Sequence, residues 1–184
     1  MAYALRSRGI GPGDKVLVCC PNVPSVSTFR SRIQHRADCE LLEIRLISDA
    51  LQGIAAVQAV IVPINTRLTE AEVSYLITNS DAKLILVDSE FAHLVASAKV
   101  PIVISSDGKP GCAYEKFLEE GAAFDRATGD LEWAGLEFQK DELATFAICY
   151  TSGTTSQPKG VETSCQYCSS RRRSCLLIFS CWRS

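Results

Sequence analysis

Short apolar runs that alternate with helical patterns are the feature that most limits the folds open to this chain. Each run is short enough for a buried strand and ends near a turn or a helix breaker. The predicted strands, in chain order, are Lys15–Cys20, Val60–Val62, Lys83–Val87, Pro101–Ile104 and Thr145–Tyr150. Strands that alternate with helices at short spacing indicate an α/β layered fold with a mainly parallel sheet.

Helical patterns fill the intervals between these runs. The segment Thr69–Glu72 has the form of a capping box. In this motif the Thr69 hydroxyl accepts a hydrogen bond from the Glu72 backbone amide, and the Glu72 carboxylate accepts one from the Thr69 amide. It should open a helix to about Thr78, with Val73, Leu76 and Ile77 facing inward. The other predicted helices are Tyr3–Arg8, closed by Gly9, then Glu90–Ala98, capped by Ser89, and Tyr114–Glu120.

Charge and apolar patterning narrow the partners that this chain of 184 residues can have. A formal net charge of −2 gives no reason to expect nucleic acid or an anionic membrane as the main partner. A run of about 18 apolar residues is absent from the sequence, so we expect no membrane span. The first residues have no apolar signal core, and secretion is therefore not expected. We expect a reducing, cytoplasmic location.

The segment after the last predicted strand is rich in hydroxyl groups. Residues 150–161 read Tyr-Thr-Ser-Gly-Thr-Thr-Ser-Gln-Pro-Lys-Gly-Val. Gly153 allows the backbone to approach a ligand closely, and amides and hydroxyls that curl together form an anion-binding concavity. Lys159 adds a mobile positive charge suited to phosphate oxygens, and Gly160 is expected to let the loop turn. Because ligands gather beyond the carboxyl ends of parallel strands, we expect a polyphosphate site here.

This loop does not have the spacing of a Walker A motif. That pattern requires a second glycine five residues after the first, followed by lysine and then serine or threonine. Counted from Gly153, the second glycine is replaced by Pro158, and Gly160 stands where serine or threonine is required. A P-loop nucleoside triphosphatase is therefore not predicted. On composition alone, a polar surface loop after a buried strand remains an alternative.

The loop resembles the signature of the adenylate-forming, or AMP-binding, superfamily, in particular its acyl-CoA synthetase branch. The motif Tyr-Thr-Ser-Gly-Thr-Thr-x-x-Pro-Lys-Gly-Val carries this resemblance. Upstream segments support it, and together the matching parts cover residues 1–25 and about 50–163. These upstream segments are Gly9–Asp14, Pro21–Pro24, Val62–Leu68 and Ala82–Asp88.

The resemblance implies an ATP-dependent, AMP-forming acid–thiol ligase that uses ATP, Mg²⁺ and coenzyme A. A small carboxylic acid would attack the α-phosphate to give acyl-AMP and pyrophosphate, and a thiol would then displace AMP. Residues that grip the outer phosphates would neutralise charge and position the leaving group. By the resemblance these residues are Thr151, Ser152, Gly153, Thr154, Thr155, Ser156, Lys159 and Gly160. No catalytic or metal-binding residue is predicted.

The sequence also departs from the family's pattern. Ser156 stands where the family usually has glycine, and Cys165 stands where many relatives have histidine. In the family, the adenine pocket, the acidic Mg²⁺ ligand and the catalytic lysine lie further along the chain than any residue that follows Lys159 here. The resemblance therefore implies a truncated N-terminal domain, inactive alone, with a peroxisomal location open for the intact family member.

Two arginine-rich stretches interrupt the resemblance. Eight of the twelve arginines and none of the seven lysines lie in residues 27–50 and 165–184. We interpret 27–50 as a non-family insert within a partial domain of residues 1–164, and 165–184 as a disordered Cys/Ser/Arg-rich tail. A translated intron and a shifted reading frame would explain them, and sequencing of the transcript would test this.

Two other functions stay open. The first is a zinc-binding module with a DNA-binding role in the tail, because four cysteines can hold one zinc ion tetrahedrally. These cysteines are Cys165, Cys168, Cys175 and Cys181. The second is a non-catalytic remnant that binds a nucleotide or a partner. A sheet that ended at the Thr145–Tyr150 strand would leave an unpaired edge, which is more a liability than an interface.

Overall fold

The computed structural model describes residues 1–20, 40–106, 111–129, 131, 135–136, 141–151 and 157–164, with the backbone alone for residues 40–45. These residues form helices on both sides of one sheet. The helices are α1 (Ala2–Ser7), α2 (Glu40–Ala56), α3 (Glu70–Ser80) and α4 (Ala113–Thr128), with a 3₁₀ helix at Ser89–Val95. The strands are β1 (Lys15–Cys19), β2 (Val60–Pro63), β3 (Ala82–Asp88), β4 (Ile102–Ser105), β5 (Thr145–Thr151) and β6 (Lys159–Ser164).

The strands lie in the order β4-β3-β1-β2-β5-β6. The first five of that order run parallel, and β6 pairs with β5 in the antiparallel direction. The predicted α/β fold with a mainly parallel sheet is therefore confirmed. Each of the five predicted strands is present, with its ends displaced by one residue at most.

Helices cover both faces of the sheet, because successive side chains of a strand point to opposite faces. In β1, Val16 and Val18 belong to one apolar cluster, together with buried residues of α1, α2 and α4. Leu17 and Cys19 belong to the other cluster, together with buried residues of α3 and the 3₁₀ helix. All four side chains are fully buried. Burial on both faces explains why this strand reads as a continuous apolar run.

The capping box at the start of α3 is confirmed. The Thr69 hydroxyl accepts a hydrogen bond of 3.4 Å from the Glu72 amide, and the Glu72 carboxylate accepts one of 2.7 Å from the Thr69 amide. Val73, Leu76 and Ile77 are buried against the sheet, as predicted. The helix is therefore fixed both at its first turn and along its inner face.

Three local predictions were wrong. The sheet does not end at β5, because β6 adds an antiparallel strand along its edge. The helix after β3 is of the 3₁₀ type, and its cap is Asp88, not Ser89. The Asp88 carboxylate reaches the Glu90 amide at 2.9 Å, whereas the backbone of Ser89 is already part of the helix. The last helix, α4, continues well past its predicted end and stops only where Gly129 adopts a left-handed backbone with φ 118°.

Part of the segment predicted as a non-family insert lies in the core. Helix α2 begins at Glu40, inside the predicted range 27–50. Leu46, Ile47 and Ala50 are buried in the same cluster as Val16. The last residues of that range therefore contribute to the packing of the sheet. Residues 21–39 and the predicted tail 165–184 lie outside the described residues.

Candidate phosphate-binding site

The hairpin of β5 and β6 lies at the carboxyl edge of the parallel strands, where the sequence predicts the site. Strand β5 ends at Thr151, strand β6 begins at Lys159, and these two residues are cross-strand partners. Residues directly opposite each other in an antiparallel pair have Cβ atoms about 4.5–5.5 Å apart and stand on the same face. Both residues are exposed to solvent. The Thr151 hydroxyl and the Lys159 ammonium group therefore lie side by side at the end of the hairpin where the chain turns from β5 to β6.

Three of the predicted phosphate-binding residues fall within the described part of the chain. They are Thr151 and Lys159, which the structure brings together, and Gly160, which follows directly. The remaining five lie outside the described residues and stay predictions: Ser152, Gly153, Thr154, Thr155 and Ser156.

Lys159 has the surroundings of a lysine that is available to a ligand. Its side chain is exposed. The ion pairs between described residues join Lys83 to Asp14 and Arg8 to Glu120, and neither involves Lys159. An ammonium group on a flexible stem suits the oxygens of a phosphate chain.

Gly160 is a packing residue, and the prediction that it lets the loop turn was wrong. It lies inside β6, opposite Tyr150. A Cβ atom at this position would lie 2.9 Å from Ile148 Cγ2 and 3.4 Å from Tyr150 Cζ. The side chains of β5 therefore occupy the space that any larger residue would need.

Helix α3 holds the hairpin through two phenol groups that the sequence analysis did not single out. The Tyr150 hydroxyl donates a hydrogen bond of 2.8 Å to Asn79 Oδ1. The Tyr75 hydroxyl donates a longer one, of 3.5 Å, to the carbonyl oxygen of Pro158. Each contact joins residues that are far apart in the sequence, so no local pattern could have revealed it.

The Tyr150 phenol remains a hydrogen-bond donor near neutral pH. Its burial raises its pKa above the ordinary value, and negative charge on the neighbouring Tyr75 would raise the pKa further. The hydroxyl is therefore protonated wherever the pH lies below the usual tyrosine range of about 10. The bond to Asn79 does not depend on pH under physiological conditions.

The other strand ends at this edge of the sheet carry buried groups. Burial raises the pKa of the Cys19 thiol to about 12 and also raises the pKa of Cys20. Asp88 and Ser105, which are cross-strand partners, are also buried. Because the thiolate is the reactive form of cysteine, these protonated thiols are poor nucleophiles. At this edge the hydroxyl of Thr151 and the ammonium group of Lys159 are exposed, whereas these thiols are buried.

The described part of the chain has neither a membrane-spanning helix nor a metal-binding cluster. None of its helices has the length and apolar character to cross a membrane. It also holds no group of three or more His, Cys, Asp or Glu side chains able to bind a metal ion. The four cysteines of the zinc alternative, in residues 165–184, lie outside the described residues.

Comparison with known proteins identifies the family. A family model described as "AMP-binding enzyme" matches residues 49–183. The chain belongs to the AMP-binding enzyme family. The matched range includes strands β2 to β6 and therefore both strands of the hairpin. The resemblance predicted from the loop motif is thereby confirmed.

The curated relatives of this chain include acid–CoA ligases. It is 31% identical over 179 residues to a peroxisomal acetate/butyrate–CoA ligase of Arabidopsis thaliana. The aligned region covers 88% of this chain and 27% of the relative. It is 29% identical over 167 residues to a 3-hydroxybenzoate–CoA/4-hydroxybenzoate–CoA ligase of Thauera aromatica, which covers 86% and 26%. The chain therefore spans about a quarter of the length of these relatives.

Solved structures share the fold. ATP-bound MatB from Rhodopseudomonas palustris superposes with a TM-score of 0.60 at 21% identity, covering 92% of this chain and 28% of that one. The anthranilate CoA ligase AuaEII, in complex with anthranoyl-AMP, gives a TM-score of 0.58 at 20% identity, covering 90% and 27%. The chain thus has the fold of part of these enzymes.

Proposed function

We propose that this chain carries the polyphosphate-binding element of an ATP-dependent, AMP-forming acid–CoA ligase. The observation that supports this most directly is the pairing of Thr151 with Lys159. The pair lies next to the turn of the β5–β6 hairpin, at the carboxyl edge of the sheet. Membership of the AMP-binding family and the CoA ligase activities named for the relatives point the same way.

In this proposal the hairpin holds the outer phosphates of ATP. The Thr151 hydroxyl donates a hydrogen bond to a phosphate oxygen, and the Lys159 ammonium neutralises charge on the phosphate chain. When the carboxylate of the acid attacks the α-phosphorus, the bond to the bridging oxygen breaks and pyrophosphate leaves with additional negative charge. Groups that are already in place stabilise that charge without having to reorganise.

The described residues fit some of the expected cofactors and not others. Exposed hydroxyl and ammonium groups fit the phosphates of ATP. The described part has no acidic cluster that would hold a Mg²⁺ ion. Coenzyme A and a small carboxylic acid are proposed because the relatives are named as CoA ligases of acetate, butyrate and hydroxybenzoates.

Binding of inorganic tripolyphosphate to the 184-residue chain tests the proposal without requiring the complete reaction. Isothermal titration calorimetry should detect binding, and the Lys159→Ala variant should bind about tenfold more weakly or worse, because it loses a charge-assisted contact. Lys99 is an equally exposed lysine next to β4, so Lys99→Ala is the matched control and should bind like the parent chain.

Two results would contradict the proposal. The first is no tripolyphosphate binding by the parent chain at low ionic strength, where electrostatic attraction is strongest. The second is equal weakening by Lys159→Ala and Lys99→Ala, which would show attraction to the overall charge and not to the hairpin. As a separate check, we expect the 184-residue polypeptide to show no acid-dependent ATP–pyrophosphate exchange, since it spans 27% of the relative from Arabidopsis thaliana.

A further inference from the structure

Tyr75 and Asn79 lie four positions apart on α3, so they occupy the same face of the helix. That face is turned toward the β5–β6 hairpin, because both side chains reach it. Asn79 accepts the 2.8 Å hydrogen bond from Tyr150, and Tyr75 donates the 3.5 Å bond to the Pro158 carbonyl. One helix face therefore contacts both arms of the hairpin.

The two contacts have matching positions relative to the proposed phosphate-binding pair. Tyr150 directly precedes Thr151 at the end of β5, and Pro158 directly precedes Lys159 at the start of β6. The first contact thus holds the side chain of Tyr150 and the second holds the backbone of Pro158, each one residue before a group that would hold phosphate. Because neighbouring residues of a strand point to opposite faces, a helix that holds Tyr150 from one side leaves Thr151 open on the other.

We propose that Tyr75 and Asn79 are positioning residues for polyphosphate binding: they fix the two arms of the hairpin on α3, so that Thr151 and Lys159 meet the ligand with their separation already set. This inference rests on the proposed function of the hairpin. It adds a role for α3, a helix that would not itself contact the ligand.

Helix α3 is suited to act as this support. Its inner face is buried through Val73, Leu76 and Ile77, and its first turn is fixed by the capping box. The small size of Gly160 makes room for the Tyr150 ring beside the backbone of β6. Because the arms are already held in place, binding does not have to order them. The loss of conformational entropy on binding is therefore smaller, which favours affinity.

Tripolyphosphate titration of the full 184-residue chain tests the inference through single and double variants. Tyr150→Phe and Asn79→Ala each remove one partner of the same hydrogen bond, and each should weaken binding about three- to tenfold. The double variant should bind no more weakly than either single variant, because both substitutions break one contact. Thr78→Ala, on the same helix and next to Asn79, is the matched control and should bind like the parent chain.

A second measurement separates positioning from general stability. Hydrogen exchange should become faster in Tyr150→Phe at those amides of β6 that bond to β5, while the amides of β1 keep the protection they have in the parent chain. The dependence of binding on salt should stay unchanged in Tyr150→Phe and decrease in Lys159→Ala, since only the latter removes a charge.

The outcomes decide between the two proposals. If the parent chain does not bind tripolyphosphate, the proposed function fails and this inference fails with it. If the parent chain binds, and Tyr150→Phe and Asn79→Ala bind equally well, only the positioning role is overturned. Faster exchange throughout the sheet would also overturn it, because α3 would then act on overall stability. Weaker binding with faster exchange confined to the hairpin would support it.

Discussion

Asp14 and Lys83 form an ion pair, with 2.6 Å between Oδ1 and Nζ, that ties the turn before β1 to the start of β3. The second carboxylate oxygen of Asp14 accepts a hydrogen bond of 2.9 Å from the Gly11 amide. Burial alone would raise the pKa of Asp14, but the bonds from Lys83 and Gly11 together hold that pKa below its ordinary value. One carboxylate thus joins the turn before β1 to the start of β3.

This pair should make the stability of the chain depend on acidity. Because the pKa of Asp14 is lower in the folded than in the unfolded chain, its contribution is complete above the unfolded value of about 4 and is lost as the pH falls through the folded value. Urea unfolding of Asp14→Asn should therefore show a smaller loss of stability below about pH 4 than the parent chain. In a Lys83→Met background, Asp14→Asn should change the pH dependence of stability less. Identical pH profiles for the parent chain and Asp14→Asn would refute the contribution of the Asp14 carboxylate.

The cap of α3 should contribute measurably to stability. Thr69→Ala removes the hydroxyl that accepts from the Glu72 amide, and it should lower the free energy of unfolding by about 1 kcal/mol. Thr69→Ser keeps the hydroxyl and is the matched control. Chemical denaturation followed by circular dichroism compares them, and equal midpoints for the alanine and serine variants would contradict the role of the cap.

Replacement of Gly121 by alanine should destabilise the chain, although alanine favours a helix by about 1 kcal/mol. A Cβ atom at Gly121 of α4 would overlap the backbone nitrogen of Ala4 and lie 2.7 Å from its Cα atom, so α1 would have to move. We expect a loss of about 1–3 kcal/mol for such overpacking, measured by thermal unfolding. The neighbouring Ala122 is exposed, so Ala122→Gly should cost about 1 kcal/mol and show the ordinary helix preference. A Gly121→Ala variant as stable as the parent would show that α1 is not packed as described.

The buried thiols should resist alkylation in the folded chain. With the pKa of Cys19 raised to about 12 by burial and by the charge of Asp88, and with Cys20 also raised, neither supplies thiolate at pH 8. Iodoacetamide treatment followed by peptide mass spectrometry should label the half-buried Cys112 well before them. Unfolding in urea should remove the difference. Equal labelling of Cys19 and Cys112 in the folded chain would contradict the burial of β1.

Strands buried on both faces could be predicted from sequence because their apolar runs are continuous. The run at Lys83–Val87 is an example, since it lies within β3 (Ala82–Asp88) and all but Lys83 are buried. Strand β6 could not be predicted in this way. Its residues are polar or exposed, with Val161 51% exposed, and pairing with β5 is what makes the segment extended. A strand defined by its partner leaves little trace in its own sequence.

The candidate site, too, could be predicted only in part. Thr151 and Lys159 could be singled out because their chemistry is visible in a continuous motif. The support from Tyr75 and Asn79 could not be predicted, since it depends on how α3 packs against an edge strand. Gly160 was recognised for its residue type but given the wrong reason, because the neighbours that exclude a side chain there belong to β5.

Strand β1 lies between β2 and β3 and pairs with both. A polypeptide that started after residue 20 would therefore keep a ribbon of β4 and β3 and a ribbon of β2, β5 and β6. The two ribbons would lose the backbone hydrogen bonds that join them through β1. An isolated two-stranded ribbon such as β4 and β3 is marginally stable at best on its own. During synthesis β1 leaves the ribosome first but gains its neighbours only after residues 60 and 82 have followed. The central strand of the sheet is thus made before every strand that surrounds it, and β4, β5 and β6 can join only after β1 has neighbours to pair with.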